Sequence, residues 1–235
     1  MTEAQITFDI MEILRGNQIS DDTDIDSRQV IFQINNQRAL YIRNEYNKPG
    51  RKVDPFIEQD LGCVKLVAVD GADCCDVEIS VDCTLLRTEH KIPNTIDLHN
   101  GPAITRVGPI MKTKTPFSFI PYNRAIYATD EKYAKRVIQA FLLNGYIYVT
   151  IPTAGNMFLE YINVRGIFET PSDAATFCTS DGATCYDKTT SEYPISGWMY
   201  TYLKQQVLQH FSMALQIPKD KQGDSQESIT GPATK

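Results

Sequence analysis

Histidine is scarce in this chain of 235 residues, and the motifs that mark the common enzyme classes are missing. The three histidines, His90, His99 and His210, stand far apart, although histidine is the usual general base near neutral pH. The sequence has no Gly-x-Ser-x-Gly nucleophile elbow, no phosphate-binding loop and no His-Glu-x-x-His pair. Carboxylates are plentiful but scattered. We therefore predict that the chain is not an enzyme and binds no cofactor.

Zinc-ligand spacing is absent from the six cysteines. Four of them lie in the first half of the chain without a Cys-x-x-Cys pair, at Cys63, Cys74, Cys75 and Cys83. Cys178 and Cys185 bracket a TSDGAT turn, across which they could meet. In a reducing compartment, small buried thiols are the expected state. The sequence thus predicts neither a metal site nor a disulfide framework.

An acidic segment, SDDTDIDS, resembles the opening of a calcium loop but lacks its later positions. Asp22, Asp24 and Asp26 alternate as they do in such a loop, yet Ser27 and Gln33 stand where the loop needs Gly and Glu. Acids at the start of a helix accept hydrogen bonds from free backbone N–H groups and oppose the positive end of the helix dipole. We interpret the three aspartates as helix-capping residues.

No apolar run approaches the length of a membrane span, and acids occur within the first dozen residues where a signal segment would be basic and then apolar. The formal net charge is −6 and the sequence pI is about 5.1, whereas proteins that grip the nucleic-acid backbone show clustered basic surfaces. We expect a protein that is made in a cytoplasm, binds no membrane and does not bind DNA specifically.

Helical periodicity is strongest at the two ends of the chain. The longest pattern runs over Ser196–Pro218, and its apolar stripe consists of Met199, Leu203, Val207, Phe211 and Ala214. The N-terminus begins with a Thr2-x-x-Gln5 capping box before Ile6, Ile10, Ile13 and Leu14. A second helix is predicted from about Asp24–Ser27 to Tyr46. We expect a bundle in which this N-terminal helical hairpin packs against the long C-terminal helix.

The middle of the chain predicts an antiparallel β-sheet that carries one helix. Strand-like runs occur at four places: Cys63–Val69, Asp76–Leu85, Tyr146–Ile151 and Phe158–Phe168. The last two predict a hairpin joined by Pro152–Asn156. A third helix is predicted from Thr129 to Asn144, with Phe141 on its buried side, and a short helix over Pro171–Cys178. The fold class is therefore α+β.

These patterns divide the chain into four regions. Residues 1–50 form the helical hairpin, 51–190 the inserted β-rich α+β region, 191–218 the long C-terminal helix and 219–235 a flexible tail. The tail, KDKQGDSQESITGPATK, has one branched apolar residue among many polar and charged ones, so it cannot bury enough surface to order itself without a partner.

Candidate interaction residues come from the predicted helices. Arg28, Arg38 and Arg43 do not share one helix face, which favours separate ion pairs or subunit contacts over a phosphate-binding stripe. Trp198 opens the last helix beside Tyr200 and Tyr202, where it could pack on the sheet, on a neighbouring subunit or on a ligand. His210 falls within the apolar stripe of that helix and is interpreted as a core histidine, while His90 and His99 are interpreted as loop residues.

Four segments of the chain resemble the ring proteins of crAss-like and related short-tailed bacteriophages, which act as adaptors or head-to-tail connectors. They are DIDSRQVIFQINNQRALYIRNEY (Asp24–Tyr46), PFSFIPYNRAIY (Pro116–Tyr127), LLNGYIYVTIP (Leu142–Pro152) and YINVRGIFETP (Tyr161–Pro171). The resemblance covers most of the chain up to about Pro218, in short phrases that contain no catalytic signature.

The resemblance implies a virion structural protein that forms a closed ring of about twelve copies, a dodecamer, between the portal and further ring or tail proteins. Genomic DNA would pass through the ring without specific binding, since an acidic channel repels it. The polar tail Lys219–Lys235, including Lys219 and Lys221, would dock on the preceding ring. Two other classes stay open: a monomeric α+β binding module that uses Trp198 as its platform, and a virion-associated hydrolase.

Overall fold

The long helices of the molecule lie at the two ends of the chain. The computed structural model describes residues 1–15, 25–48, 50, 52–69, 83–125, 137–152, 159–177 and 188–215. Five α-helices lie within these residues: α1 (Glu3–Leu14), α2 (Ser27–Tyr46), α3 (Tyr122–Ala125), α4 (Pro171–Thr176) and α5 (Gly197–Leu215). A 3-10 helix, Pro55–Ile57, follows α2. Only α1, α2 and α5 exceed two turns.

A seven-stranded sheet forms the largest element of the described chain, with the order β5-β9-β1-β2-β8-β7-β6. All neighbouring pairs are antiparallel except β6 and β7. Strands β3 and β4 form a separate two-stranded sheet. The strands are β1 (Gln59–Ala68), β2 (Cys83–Thr88), β3 (Asp97–Leu98), β4 (Gly101–Pro102), β5 (Ile104–Gly108), β6 (Ser118–Phe119), β7 (Gln139–Leu143), β8 (Tyr146–Pro152) and β9 (Tyr161–Gly166).

The large sheet curls around its own core. The first part of β1 pairs with β9 up to Lys65, and its last three residues, from Leu66 on, pair with β2. At the other side, the Phe117 N–H donates to the Val107 carbonyl at 2.8 Å, which links the two edge strands. One buried cluster lines the inside with residues of β1, β5, β7, β8 and β9, among them Leu61, Val107, Ala140, Val149 and Val164. Burial of this apolar surface stabilises the curled sheet.

Two predictions for the second half of the chain are wrong. The predicted third helix, Thr129–Asn144, is a strand over Gln139–Leu143, and residues 126–136 lie outside the description. Asn144 (φ 51°) and Gly145 (φ 82°) form a two-residue turn from β7 into β8. Asn-Gly is the preferred sequence for such a turn because both positions need positive φ. The dipeptide read as a helix stop is therefore a hairpin turn.

The predicted hairpin between the next two strands is also wrong, although both strands exist. β8 pairs with β7 and β2, while β9 pairs with β1 and β5. Residues 153–158, which contain most of the predicted turn, lie outside the description, as do residues 76–82 of the predicted Asp76–Leu85 strand. Strand pairing depends on the burial of every strand around the core, which local patterns do not contain.

The predicted helices at the two ends are confirmed. Thr2 and Gln5 form the expected capping box of α1, and Asp26 caps α2. In α5 the predicted stripe is buried, with Met199, Leu203, Val207 and Phe211 exposed by 0 to 7%. In α1 Met11 is buried and Ile13 is 44% exposed, so the buried stripe is rotated from the predicted one. The short helix after Pro171 is also present, as α4.

The predicted class, mixed α and β, is confirmed, and the sheet dominates it. On the helical side α1, α2 and α5 share a buried cluster that includes Ile6, Ile10, Ile34, Leu203 and Val207. A further cluster joins this side to the sheet through Ile42, Ile57, Ile96, Ile167 and Met199. We call α1, α2 and α5 the helical layer.

Candidate functional site

The described residues hold no group of three or more His, Cys, Asp or Glu side chains that could bind a metal ion. No helix in this part of the chain is long and apolar enough to cross a membrane. Cys63 is exposed, contrary to the prediction of buried thiols; Cys74, Cys75, Cys178 and Cys185 lie outside the description. Exposed surfaces and buried polar contacts are the candidate functional features of the described residues.

Arg38 is a buried cation at the junction of the helical layer and the sheet. Its side chain is 0% exposed, and it donates from Nε to the Pro194 carbonyl (2.8 Å), from Nη1 to Phe168 (2.9 Å) and from Nη2 to Ile57 (3.4 Å). The guanidinium fork can satisfy three separate acceptors because its donors point in fixed directions. Arg38 thereby ties α2 to the 3-10 helix, to the segment after β9 and to the segment before α5.

The environment of Arg38 explains how its charge is tolerated there. Its guanidinium lies 5.7 Å from the centroid of the Tyr193 ring, and the Tyr193 hydroxyl donates to Asn35 Oδ1 at 2.7 Å. Burial lowers the pKa of Arg38 and raises the pKa of Tyr193. Arg38 still stays protonated near neutral pH, since arginine does not lose its proton in proteins. We expected Arg38 at a subunit or portal interface, but a side chain with no exposed surface cannot meet a partner, so its position corrects that expectation.

A second polar contact holds α1 against α5. Asp9 accepts hydrogen bonds from the Tyr200 hydroxyl and from Lys204 Nζ, the latter at 2.6 Å. The Lys204 hydrogen bond, followed by that of Tyr200, lowers the pKa of the Asp9 carboxyl. Burial and the hydrogen bond to Asp9 raise the pKa of Tyr200. This group, Asp9, Tyr200 and Lys204, is an ion pair with a shared hydroxyl that joins α1 to α5. Lys204 also lines an open depression of about 620 Å³ on the surface of α5.

A groove runs beside α2 on the outside of the helical layer. Its volume is about 630 Å³, and the helix contributes Phe32, Leu40 and Arg43 to its wall. Phe32 is 62% exposed and Leu40 is 51% exposed, although both are large apolar side chains. Asp97 and Glu169 line the opposite side of the groove. Exposed apolar side chains beside charges are typical of a surface that another molecule covers.

Three residues of the predicted interface set, Arg28, Arg43 and Trp198, are exposed on the helical layer. Arg28 and Arg43 are exposed on α2, and Arg43 borders the groove. Trp198 is 54% exposed and lies edge-on to Tyr41, with ring centroids 5.8 Å apart. Tyr202 joins this aromatic group at 4.5 Å from Tyr41. Lys219 and Lys221 lie outside the described residues.

One of the three histidines has different surroundings from those predicted. His210 is half-buried and lines the groove, so it is not enclosed in the core. His90 and His99 are exposed, as expected of loop residues, and the His99 N–H donates to Asn47 Oδ1 at 2.6 Å. None of the three belongs to a described group of three or more His, Cys, Asp or Glu side chains that could hold a metal ion.

Sequence reasoning missed the groove because its walls come from distant parts of the chain. Asp97 follows α2 by about fifty residues and Glu169 lies after β9, so neither is near Phe32 in sequence. One local signal was present: Phe32 and Leu40 lie off the buried stripe of α2 and were not explained by it. Large apolar residues outside the buried stripe of a helix indicate a second covered face.

Large exposed apolar side chains such as Phe32 and Leu40 are a feature of proteins that assemble with other molecules. Comparison with known families agrees: the model of phage tail ring protein 2 matches residues 5–229. Since this match spans nearly the whole chain, the chain belongs to this family of crAss-like phage ring proteins. Membership implies a structural ring component of the phage virion that assembles from several copies. No curated protein sequence matches the chain.

Proposed function

We propose that this protein is one subunit of a closed ring of about twelve copies that connects the portal to the tail and extends the DNA channel. The observation that carries the proposal is the family match over residues 5–229. As a head-to-tail connector, the ring would act mechanically and without catalysis. It would assemble in the host cytoplasm and, during genome ejection, let DNA pass through its lumen.

The composition of the chain supports a passage that DNA does not adhere to. The formal net charge is −6 per copy, so a ring of many copies carries a large negative charge. Like charge raises the free energy of close approach between the channel wall and the DNA backbone. Proteins that hold DNA show the opposite charge.

The arrangement of the helices supports a subunit built as a three-helix bundle with an inserted α+β region. The helices α1, α2 and α5 share a buried cluster, and the sheet-forming residues lie between α2 and α5 in sequence. In this proposal residues 1–50 and 191–218 form the helical bundle, and residues 51–190 form the inserted α+β region. In the ring, Arg28, Arg43 and Trp198 would contact neighbouring subunits or the portal, because all three are exposed on the helical layer.

The test of the ring is its assembly state. Native mass spectrometry and electron microscopy of the purified chain, with and without the portal, should show closed rings of one copy number. Rings that appear only on the portal would equally support the proposal. A chain that stays monomeric in both conditions would overturn it and favour the monomeric binding module.

The polar segment Lys219–Lys235 is proposed as the arm that docks on the portal, because its composition suits folding on a partner. Deleting it should leave the unfolding temperature unchanged and weaken binding to the portal, measured by surface plasmon resonance. A Lys219→Gln, Lys221→Gln variant of full length tests the charge alone. Unchanged portal binding by the truncated protein would contradict the role of the arm.

A further inference from the structure

The loop between β5 and β6 presents two adjacent apolar side chains to solvent. Its sequence is PIMKTKTP, from Pro109 to Pro116, and all six residues between the prolines are exposed. Ile110 is 47% exposed and Met111 is 63% exposed. Lys112 and Lys114 follow them directly. We call residues 109–116 the β5–β6 loop.

This loop is held in one shape by its own chain. Lys112 Nζ forms an ion pair with Asp60, and the Lys114 N–H donates to the Met111 carbonyl at 3.0 Å, which closes a turn. Arg106 Nη2 donates to the Lys114 carbonyl at 2.9 Å. A loop ordered before binding loses less conformational entropy when it docks. These contacts favour the interpretation of the loop as a preformed docking element.

The Asp60 carboxylate that anchors the loop is itself fixed by a β-bulge. Gly62 has a φ of 70°, and its N–H donates to Asp60 Oδ1 at 2.9 Å, as does Asn163 Nδ2 at 2.6 Å. Burial raises the pKa of Asp60, but the hydrogen bonds from Lys112, Gly62 and Asn163 outweigh this effect and lower it. The anchor is thus ionised at neutral pH. Bulges often orient functional residues in this way.

The groove beside α2 complements the loop in polarity and charge. Phe32 and Leu40 offer exposed apolar surface, and Asp97 and Glu169 offer carboxylates. Among the described residues, neither of these carboxylates forms an ion pair, and neither does Lys114. Arg43 also lines the groove, so its two carboxylates exceed its one arginine by one charge. An apolar tip flanked by a lysine therefore matches an apolar groove flanked by carboxylates.

The loop and the groove of one copy lie at opposite ends of β5. The Ala103 N–H donates to Ile96, a groove residue, at 2.9 Å, which fixes the start of β5 beside the groove. The β5–β6 loop begins after Gly108. A Cβ atom added to Gly108 would lie 3.2 Å from Pro116 Cα, at the other end of the loop. The five extended residues of β5 span about 16 Å. The loop at the far end of β5 is held by Asp60 and Arg106 of its own chain. We therefore assign the occupant of the groove to a different copy.

We propose that the β5–β6 loop of one subunit inserts Ile110 and Met111 into the α2 groove of the adjacent subunit, where Lys114 approaches Glu169 or Asp97. This inference rests on the proposed ring. A closed ring needs two different, complementary surfaces on each copy, and the loop and the groove are such a pair. Repeated around the ring, this contact would join every subunit to the next.

A photo-crosslinking experiment identifies the occupant of the groove. Phe32 is replaced by p-benzoylphenylalanine, and rings are assembled from a mixture of isotope-labelled and unlabelled full-length protein. Irradiation should give a crosslink between position 32 of one copy and a peptide containing residues 109–116 of a differently labelled copy. Crosslinks only within one copy, to residues 219–235 or to the portal would overturn the proposal.

Charge reversal tests the same contact without a probe. Lys114→Glu and Glu169→Lys, each alone, should lower the ring fraction in native mass spectrometry, and Met111→Asp should lower it about tenfold or more. The double variant Lys114→Glu, Glu169→Lys should recover rings relative to either single variant. Lys52→Glu, an exposed lysine outside both surfaces, is the matched control and should assemble normally.

The outcomes separate this inference from the proposed function. Normal rings from Met111→Asp would overturn the loop contact and leave the ring intact. Absence of rings from the unaltered chain, with and without the portal, would overturn both. Circular dichroism of each variant should match that of the unaltered chain because all the substituted side chains are exposed.

Discussion

The helical layer and the curled sheet differ in what they leave exposed. Most of the large apolar side chains that are exposed in the described chain lie on α1, α2, α5 or the 3-10 helix, and they include Phe8, Phe32, Leu40, Phe56 and Trp198. In the sheet region the exposed ones are Ile110 and Met111 of one loop and Val137 before β7. The sheet thus covers its own apolar surface, whereas the helical layer needs other molecules to cover part of it.

The two regions also differ in how they are held together. The sheet core is apolar, and its strands approach closely; at Gly166 an added Cβ atom would lie 2.8 Å from the Ala103 carbonyl oxygen. In the helical layer, polar side-chain contacts join separate elements, with Arg38 at its junction with the sheet and Asp9 between α1 and α5. We therefore expect the helical layer to be most sensitive to the loss of a polar contact between elements, and the sheet to be most sensitive to an added atom where its backbone segments approach closely.

The largest effect is expected at the junction. Arg38→Met should lower the free energy of unfolding by about 2–4 kcal/mol, because three buried carbonyl oxygens lose their donors while the cost of burying a charge is removed. Urea unfolding followed by circular dichroism measures it. Arg43→Met, on the exposed face of the same helix, is the matched control and should change stability by less than about 0.5 kcal/mol. Equal stability of the two variants would show that the Arg38 contacts do not hold the junction.

A smaller effect is expected from crowding the sheet. Gly166→Ala should cost about 1–3 kcal/mol, since the new methyl group would displace the backbone of the segment before β5. The midpoint of urea unfolding reports this change. Gly197→Ala is the control, because no atom within 4 Å would meet its Cβ, and it should be neutral or slightly stabilising. If Gly166→Ala and Gly197→Ala unfold alike, the close approach of β9 to that segment is not a constraint on the fold.

The smallest effect is expected from pH at the contact between α1 and α5. The pKa of Asp9 is lower in the folded chain than its ordinary value of 3.8, so folding favours the ionised form. The stabilisation is complete above the unfolded pKa and is lost as the pH falls below about 4 through the folded pKa. Because the pair is partly exposed and screened, we expect less than about 1 kcal/mol.

Asp9→Asn isolates this contribution. The variant should be slightly less stable than the unaltered chain at pH 6, and the difference should shrink at pH 3. Thermal unfolding at the two pH values measures it, with Glu12→Gln on the exposed side of α1 as the control. A difference that stays constant from pH 6 to pH 3 would rule out ionisation of Asp9 as its source.

Local patterns were sufficient for the elements at the two ends of the chain. The capping box at Thr2, the Asp26 cap and the stripe from Met199 to Phe211 each depend on residues within a few turns of one helix. The strands β8 and β9 and the helix α4 were also found, as was the mixed α+β class. In all these cases the residues that form an element are neighbours in sequence, so propensity and periodicity contain the answer.

The same sequence determined the family of the chain and its net charge. Only the tertiary structure decided which strands pair and whether an individual side chain is buried or exposed. Asn144-Gly145 can end a helix or turn a hairpin, and the neighbouring β2 and β8 select the hairpin. Arg38 and Arg43 are both arginines of α2. Arg38 donates hydrogen bonds to three carbonyls in the interior, whereas Arg43 borders an open groove. The physical reason is that burial and hydrogen bonding depend on partners more than a hundred residues away, which no local pattern encodes.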